Sequence, residues 1–534
     1  MKNRELEAAW AYHNGTKHSY QSVYTSPHYL DWETQPIPFK IYPKLGPLPL
    51  PQHLSSSGLA ALAAISAGGG QADVASIPNL EALAEIFYLS AGITKRRKYP
   101  GGEILFRAAA CTGALYHIDL YLVCGDLQGL AAGVYHFGPH DFALRRLRAG
   151  DYRAVLGHAS GGEPATVIAP AILVCASTYW RNGWKYQSRA YRHCYWDNGT
   201  ILANLLAVAA ARNVTARVVV GFVDAEVSRL LGLDMEREGA LALVPLGYGP
   251  ALLPGASPEV EPIALETVPL SKQEIDYPAI RNMHEASSLE SVGEVEAWRE
   301  EKGGRPALSV TEGPVLRVAE GPVLSVAEGT KAEGKIFPIR PAGDDEIARD
   351  TIEEVILRRG STRRFSRESI SFEQLSSMLY RATRGIPADF LERDSPPLND
   401  LYLVVNAVDD LPSGAYVFHR DRLALELLKE GDFRREAGHL GLGQEIPADA
   451  SVDIFFLTGL DAVLERFGNR GYRAAQLEAG ITGGKLYLSA YAQRLGASGL
   501  TFFDDDVTEF FSPHAKGKSV MFLVALGKSA KRSG

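Results

Sequence analysis

Leu120-Tyr121-Leu122-Val123, followed by Leu130, Gly133, Tyr135 and Phe137, is answered later in the chain by Leu401-Tyr402-Leu403-Val404, then Leu411, Gly414, Tyr416 and Phe418. The offset is constant (401 − 120 = 281). It holds again at Tyr191-Arg192 and Tyr472-Arg473, at Gly199 and Gly480, and at Phe222 and Phe503. The two ends of the chain therefore read as copies of one fold. A shared fold preserves what both copies need, so residues present in only one copy are the candidates for function.

Composition fits a duplicated globular protein. A length of 534 residues accommodates two units of about 200 residues plus connections, and 46% apolar residues can fill two cores. A net charge of −8 argues against a nucleic-acid binder, which normally carries a basic stripe. Cys111, Cys124, Cys175 and Cys194 are scattered, with no C-x-x-C pair. That spacing indicates neither a disulfide framework nor a zinc site, and no metal is expected. The start, Met1-Lys2-Asn3-Arg4-Glu5, lacks a signal-peptide apolar core. The longest apolar stretch, Leu202 to Ala211, is about half a membrane span. A cytoplasmic location without membrane contact is expected.

The pattern predicts a first domain over residues 1–254, a linker over 255–341 and a second domain over 342–534. Apolar residues at Leu80, Leu83, Ile86, Phe87 and Leu89 have helical spacing, answered by Phe372, Leu375, Met378, Leu379 and Tyr380. Ile118 to Cys124, Ala171 to Ala176 and Val218 to Phe222 read as strands. Thr200 to Ala211 reads as a buried helix. In the linker an octad recurs three times from Pro306, Pro314 and Pro322. Three such repeats bury too little apolar surface to offset ordering entropy, so a loose tether is expected.

The copies differ at three places. The second copy carries Arg358-Arg359-Gly360-Ser361-Thr362-Arg363-Arg364, a run suited to bidentate phosphate binding. Near its end, Lys516-Gly517-Lys518 stands where the first copy has Glu236-Arg237-Glu238. Such an inversion is hard to ascribe to packing and easy to ascribe to a phosphate held by one copy. The first copy alone has the small-residue loop Ala110-Cys111-Thr112-Gly113 between Arg107 and Tyr116, which lets backbone groups approach a flat ligand. It alone also has Lys185-Tyr186, a pair able to act as base and acid if burial moves their pKa values toward neutrality. Arg189, Tyr191 and Arg192 recur as Arg470, Tyr472 and Arg473 and read as scaffold.

Together, Arg359-x-Ser361-x-Arg363, the loop around Cys111-Thr112-Gly113 and Lys516-x-Lys518 resemble the FMN-dependent nitroreductase superfamily. Lys185-Tyr186 and the Arg107–Tyr116 segment resemble its SagB/ThcOx type, which includes azoline oxidases of peptide natural-product biosynthesis. The resemblance implies an α+β fold: two tandem nitroreductase-like domains forming an intramolecular, monomeric pseudo-dimer. It implies one FMN, held by Arg359, Ser361, Arg363, Lys516 and Lys518 of the second copy. Ala110, Cys111, Thr112 and Gly113 of the first copy would face it, with Leu500 and Thr501 beside the ring. Lys185 and Tyr186 would be catalytic. A second site would rely on Lys17-His18-Ser19-Tyr20-Gln21, a weakened arginine motif, and would be degenerate. The family pattern has Pro-Ser where this chain has Ala110-Cys111, and proline where it has His117.

The activity so implied is hydride transfer between flavin and a small-molecule or peptide-derived substrate, such as azoline oxidation. The chain shows no Gly-x-Gly-x-x-Gly after a strand, which leaves NAD(P)H room only as a transient reductant. The rival readings are a NAD(P)H-dependent nitro or quinone reductase and a flavin-binding scaffold or sensor without turnover.

Overall fold

Alternating and fully apolar strand segments pair into two antiparallel sheets, one from each copy. The structure is a computed structural model describing residues 2–67, 76–99, 102–249, 259–300, 334–391 and 396–530. The octads at 306–329 lie outside the described residues. The first copy contributes β1 (Leu48–Pro49), β2 (Ile93–Tyr99), β3 (Gly102–Arg107), β4 (Ile118–Cys124), β5 (Gly133–Gly138), β6 (Ala143–Ala149), β7 (Ala171–Thr178) and β8 (Glu238–Leu246). Its sheet runs β1-β6-β5-β4-β7-β8, while β2 and β3 form a separate hairpin. The second copy contributes β9 (Ile336–Pro338), β10 (Asp400–Val405), β11 (Gly414–His419), β12 (Ala424–Glu430), β13 (Val452–Thr458), β14 (Gly496–Leu500) and β15 (Ser519–Gly527), in the order β14-β15-β13-β10-β11-β12-β9.

The duplication extends to register. Leu122 faces Tyr135 and Leu403 faces Tyr416. Bulges recur at Val134/Tyr135 and Ala415/Tyr416, and again at Cys175/Ala176 and Phe456/Leu457. A bulge aims the side chains beyond it, so its repetition shows one design used twice. The predicted α+β tandem architecture is what the chain adopts.

The copies meet along helices Ala190–Ala211 and Arg470–Ala492, which are buried along almost their whole length. Gly199 and Gly480 mark their crossing. A Cβ on Gly199 would lie 2.4 Å from the Gly480 carbonyl carbon, and one on Gly480 would lie 2.8 Å from the Trp196 oxygen. Backbone alone fits there. Gly480→Val is expected to cost about 3 kcal/mol by overpacking, read as a lowered midpoint in thermal or denaturant unfolding.

The shared arginines seal the same interface reciprocally. Arg189 and Arg192 of the first copy bind Asp504 of the second at 3.0 and 2.6 Å. Arg470 and Arg473 of the second bind Asp224 of the first at 2.6 and 2.8 Å. Behind them the helices Glu7–Gly15 and Pro278–Ala286 match. Arg192 reaches His13 O and Thr16 Oγ1, while Arg473 reaches His284 O and Ser287 Oγ. The 255–341 segment is therefore not all tether: Pro278–Ala286 is the entry helix of the second copy. Weak apolar periodicity in Met283-His284-Glu285-Ala286-Ser287 hid its likeness to Tyr12-His13-Asn14-Gly15-Thr16.

Candidate functional site

The small-residue loop of the first copy is held from beneath by one carboxylate. Asp197, on helix Ala190–Ala211, accepts from Thr112 N and Thr112 Oγ1, and lies 3.0 Å from Cys111 Sγ and 2.8 Å from His117 Nε2. Thr200, one turn on, donates to Ala110 O at 2.6 Å. Gly113 adopts φ 65°, and a Cβ there would come within 2.9 Å of Tyr186 Oη. Tyr186 therefore lies directly over the loop, and the Lys185 Nζ stands 5.4 Å from the Tyr186 ring centroid. These first-copy candidates are brought together.

Arg359 joins them from the second copy. It follows helix Ile352–Arg358, which ends there because the chain leaves helical geometry at ψ 144°. Its guanidinium donates to Ala108 O at 2.8 Å and Arg107 O at 3.1 Å, and stands over the Tyr487 ring. Burial lowers its pKa, and among the described residues no carboxylate forms an ion pair with it. Ser361 and Arg363 form no hydrogen bond or ion pair with any described residue, though the Arg363 charge reaches Tyr186. Leu500 ends β14 and Thr501 follows it; the Thr501 hydroxyl is buried without a hydrogen-bond partner among the described residues. Unspent donors and an uncompensated guanidinium bordering a close-approach loop suit a phosphorylated, hydrogen-bonding planar ligand, so the residues present fit FMN.

Several expectations are corrected. Lys516 and Lys518 do not join Arg359. They precede β15, whereas Thr362 packs on Gly496 and Ser529 at its far end, roughly 27 Å away along nine strand residues. Lys518 is bound to Asp400 Oδ2 at 2.6 Å and Tyr402 Oη at 2.9 Å, and Lys516 is exposed. Packing also explains the charge inversion: Glu238 pairs with Lys40 at 2.7 Å, both nearly buried. The basic residue beside the arginine segment is instead Lys528, whose carbonyl accepts from Ser366 N. Its signal was available, since it directly follows the shared Leu526-Gly527.

The weakened arginine motif was also misplaced. Lys17 binds Asp505 at 2.7 Å, and His18 N donates to Asp504 Oδ2. The real counterpart of helix Ile352–Arg358 is helix Ala61–Ser66, joined to it through the antiparallel bridge of Ala60 and Thr351. In sequence the residues after Ala67 read Gly68-Gly69-Gly70-Gln71-Ala72-Asp73, without a basic residue, and they lie outside the described residues. Part of the proline-rich counterpart of the small loop, 392–395, lies outside the described residues.

Finally, burial raises the Tyr186 phenol, with the Asp197 carboxylate adding and Arg363 opposing. It moves away from neutrality, so Tyr186 can donate a proton or hydrogen bond but does not serve as a base at neutral pH. The sequence reading missed Asp197 and gave His117, which it marked only as a departure from the family pattern, no part in fixing the loop. It also missed the β2–β3 hairpin, which carries exposed Lys95, Arg96, Arg97 and Lys98 and has no counterpart among the described residues of the second copy. Among the described residues no helix is long and apolar enough to cross a membrane.

Comparison with known proteins places these observations. The nitroreductase family model matches residues 103–248 and 356–528. A Methanocaldococcus jannaschii protein provisionally named a nitroreductase is 26% identical over 168 residues, 32% of this chain and 80% of that protein. A crystal structure of a provisionally named nitroreductase from Anabaena variabilis superimposes with a TM-score of 0.72 at 24% identity, covering 98% of this chain and 99% of that one. That likeness is of fold, and it spans both copies and their connection.

Proposed function

This chain belongs to the nitroreductase family, and from that premise we propose that it is an FMN-dependent oxidoreductase with one flavin site between its copies. The observation that carries the reading is Arg359, which crosses from the second copy to the backbone of the first-copy loop with no carboxylate among the described residues to balance it. Arg359, Arg363 and Ser361 would hold the phosphate. The backbone of Ala110, Cys111, Thr112 and Gly113 would face the ring from one side, and Leu500 and Thr501 would border it on the other. Bound FMN supplies two-electron hydride chemistry. The second site lacks a basic residue at 68–73 and is proposed to hold none.

For the protein's own groups, Tyr186 orients substrate over the loop as a hydrogen-bond donor, and Lys185, beside its ring, is the second catalytic group of the pair. The finer assignment we propose is a SagB-type dehydrogenase acting on a small or peptide-derived substrate, supported by Lys185-Tyr186 against Gly113. NAD(P)H enters only as a transient reductant. Lys185→Ala and Tyr186→Phe are expected to retain flavin while turnover falls about 100-fold, the usual size of an acid–base contribution. Unchanged turnover in both variants, in an assay of azoline substrates and of NAD(P)H-driven nitroaromatic or quinone reduction, would remove these residues from the mechanism.

A further inference from the structure

Cys111 and His117 are two of the three positions where the segment departs from the family pattern, and both converge on one oxygen. Cys111 Sγ lies 3.0 Å and His117 Nε2 2.8 Å from Asp197 Oδ2, with the three donor atoms within 4.8 Å of one another. We propose that Cys111, His117 and Asp197 form a binding site for a divalent zinc-type ion, behind the small-residue loop. A thiolate, an imidazole and a carboxylate are the donors zinc prefers.

Three further observations point to a ligand there. First, the Asp197 carboxylate is 6% exposed, and its ion-pair partner among the described residues is the His117 imidazole, with no permanently charged lysine or arginine beside it. A buried carboxylate without a counter-charge is costly. The second copy answers the same need with protein: its counterpart Glu478 has Arg420 at 3.6 Å. The first copy has Pro139 where Arg420 stands, and the second has Leu398 where His117 stands. Thus the copy without the guanidinium is the one with the thiol and the imidazole.

Second, the ligands are oriented from behind. His117 Nδ1 sits 2.8 Å from Ser177 Oγ, which accepts from Cys194 Sγ. Thr112 Oγ1 holds the other Asp197 oxygen, and Thr112 N donates to both. Such outer partners fix the ring and leave Nε2 toward the ion. Third, a cavity of about 10 Å³ lined by Arg107, Cys111, Tyr116 and Asp197 adjoins the trio, room for about one water as fourth ligand. Tetrahedral zinc with bonds of about 2.0–2.3 Å sets its ligand atoms about 3.3–3.6 Å apart, so Cys111 Sγ and His117 Nε2 each move about half an ångström from Asp197 Oδ2 on loading. The thiol proton leaves to solvent. Spacing along the chain gave no hint, because ligands at 111, 117 and 197 meet only through the fold.

The test is metal content of the purified, tag-free full-length chain, after chelation, zinc readdition under reducing conditions and desalting. About one zinc per chain is expected, with one sulfur ligand in zinc-edge X-ray absorption. Cys111→Ser and His117→Asn should each fall to about a tenth or less of that zinc content. Zinc below about a tenth per chain in the wild type, a zinc shell without sulfur, or full zinc retention by either variant would overturn the site. The wild-type measurements decide the matter even if a variant fails to fold.

Discussion

Asp504→Ala is expected to destabilise the protein by about 3–5 kcal/mol, the cost of leaving buried guanidiniums without their carboxylate. Both Arg189 and Arg192 lose their ion pair at once, and both are at most 3% exposed. Asp224→Ala should cost a similar amount, because Arg470 and Arg473 repeat the arrangement. Denaturant unfolding with a shared m-value is the measurement; a loss below about 1 kcal/mol in both variants would contradict the interface described. The same link predicts acid sensitivity. Burial alone would raise the Asp504 carboxyl, but Arg189 and Arg192 outweigh it and hold the pKa at about 2, below its ordinary 3.8. A depressed folded value stabilises fully above the unfolded one. About 2 kcal/mol is therefore lost as pH falls from about 4 through 2, and the Asp504→Ala variant should lack that loss.

Arg359→Ala is expected to weaken FMN binding by about 10- to 100-fold. A charged hydrogen bond contributes about 1.5–3 kcal/mol, and each 1.4 kcal/mol is about tenfold. Lys518→Ala is the control: with its ammonium held by Asp400 and Tyr402, FMN affinity should change by less than about twofold. Titration of flavin-stripped protein followed by flavin fluorescence reads both. An unchanged Arg359→Ala, or a Lys518→Ala that loses flavin, would move the phosphate to the other end of β15.

The two sheets, their register and the helix crossing were legible because strand periodicity and the Gly199/Gly480 pair are local patterns that survive duplication. The small loop and Arg359 were legible as differences between the copies. Lys518 misled because a charge in sequence does not reveal its partner: Asp400 and Tyr402 lie more than a hundred residues away. The inversion against Glu238 likewise dissolved once Lys40 was beside it. Asp197 escaped notice because both copies carry an acid there, so comparing them hid its work. Pro278–Ala286 was hidden by a composition as polar as the tether around it.

The central claim, one flavin held between two unequal copies, is tested most directly by FMN stoichiometry. Titrating flavin-stripped full-length chain should saturate at one FMN per chain, with a Kd independent of protein concentration because both halves of the site are in one molecule. Two FMN per chain would contradict the single-site account, and none would contradict the flavin assignment itself.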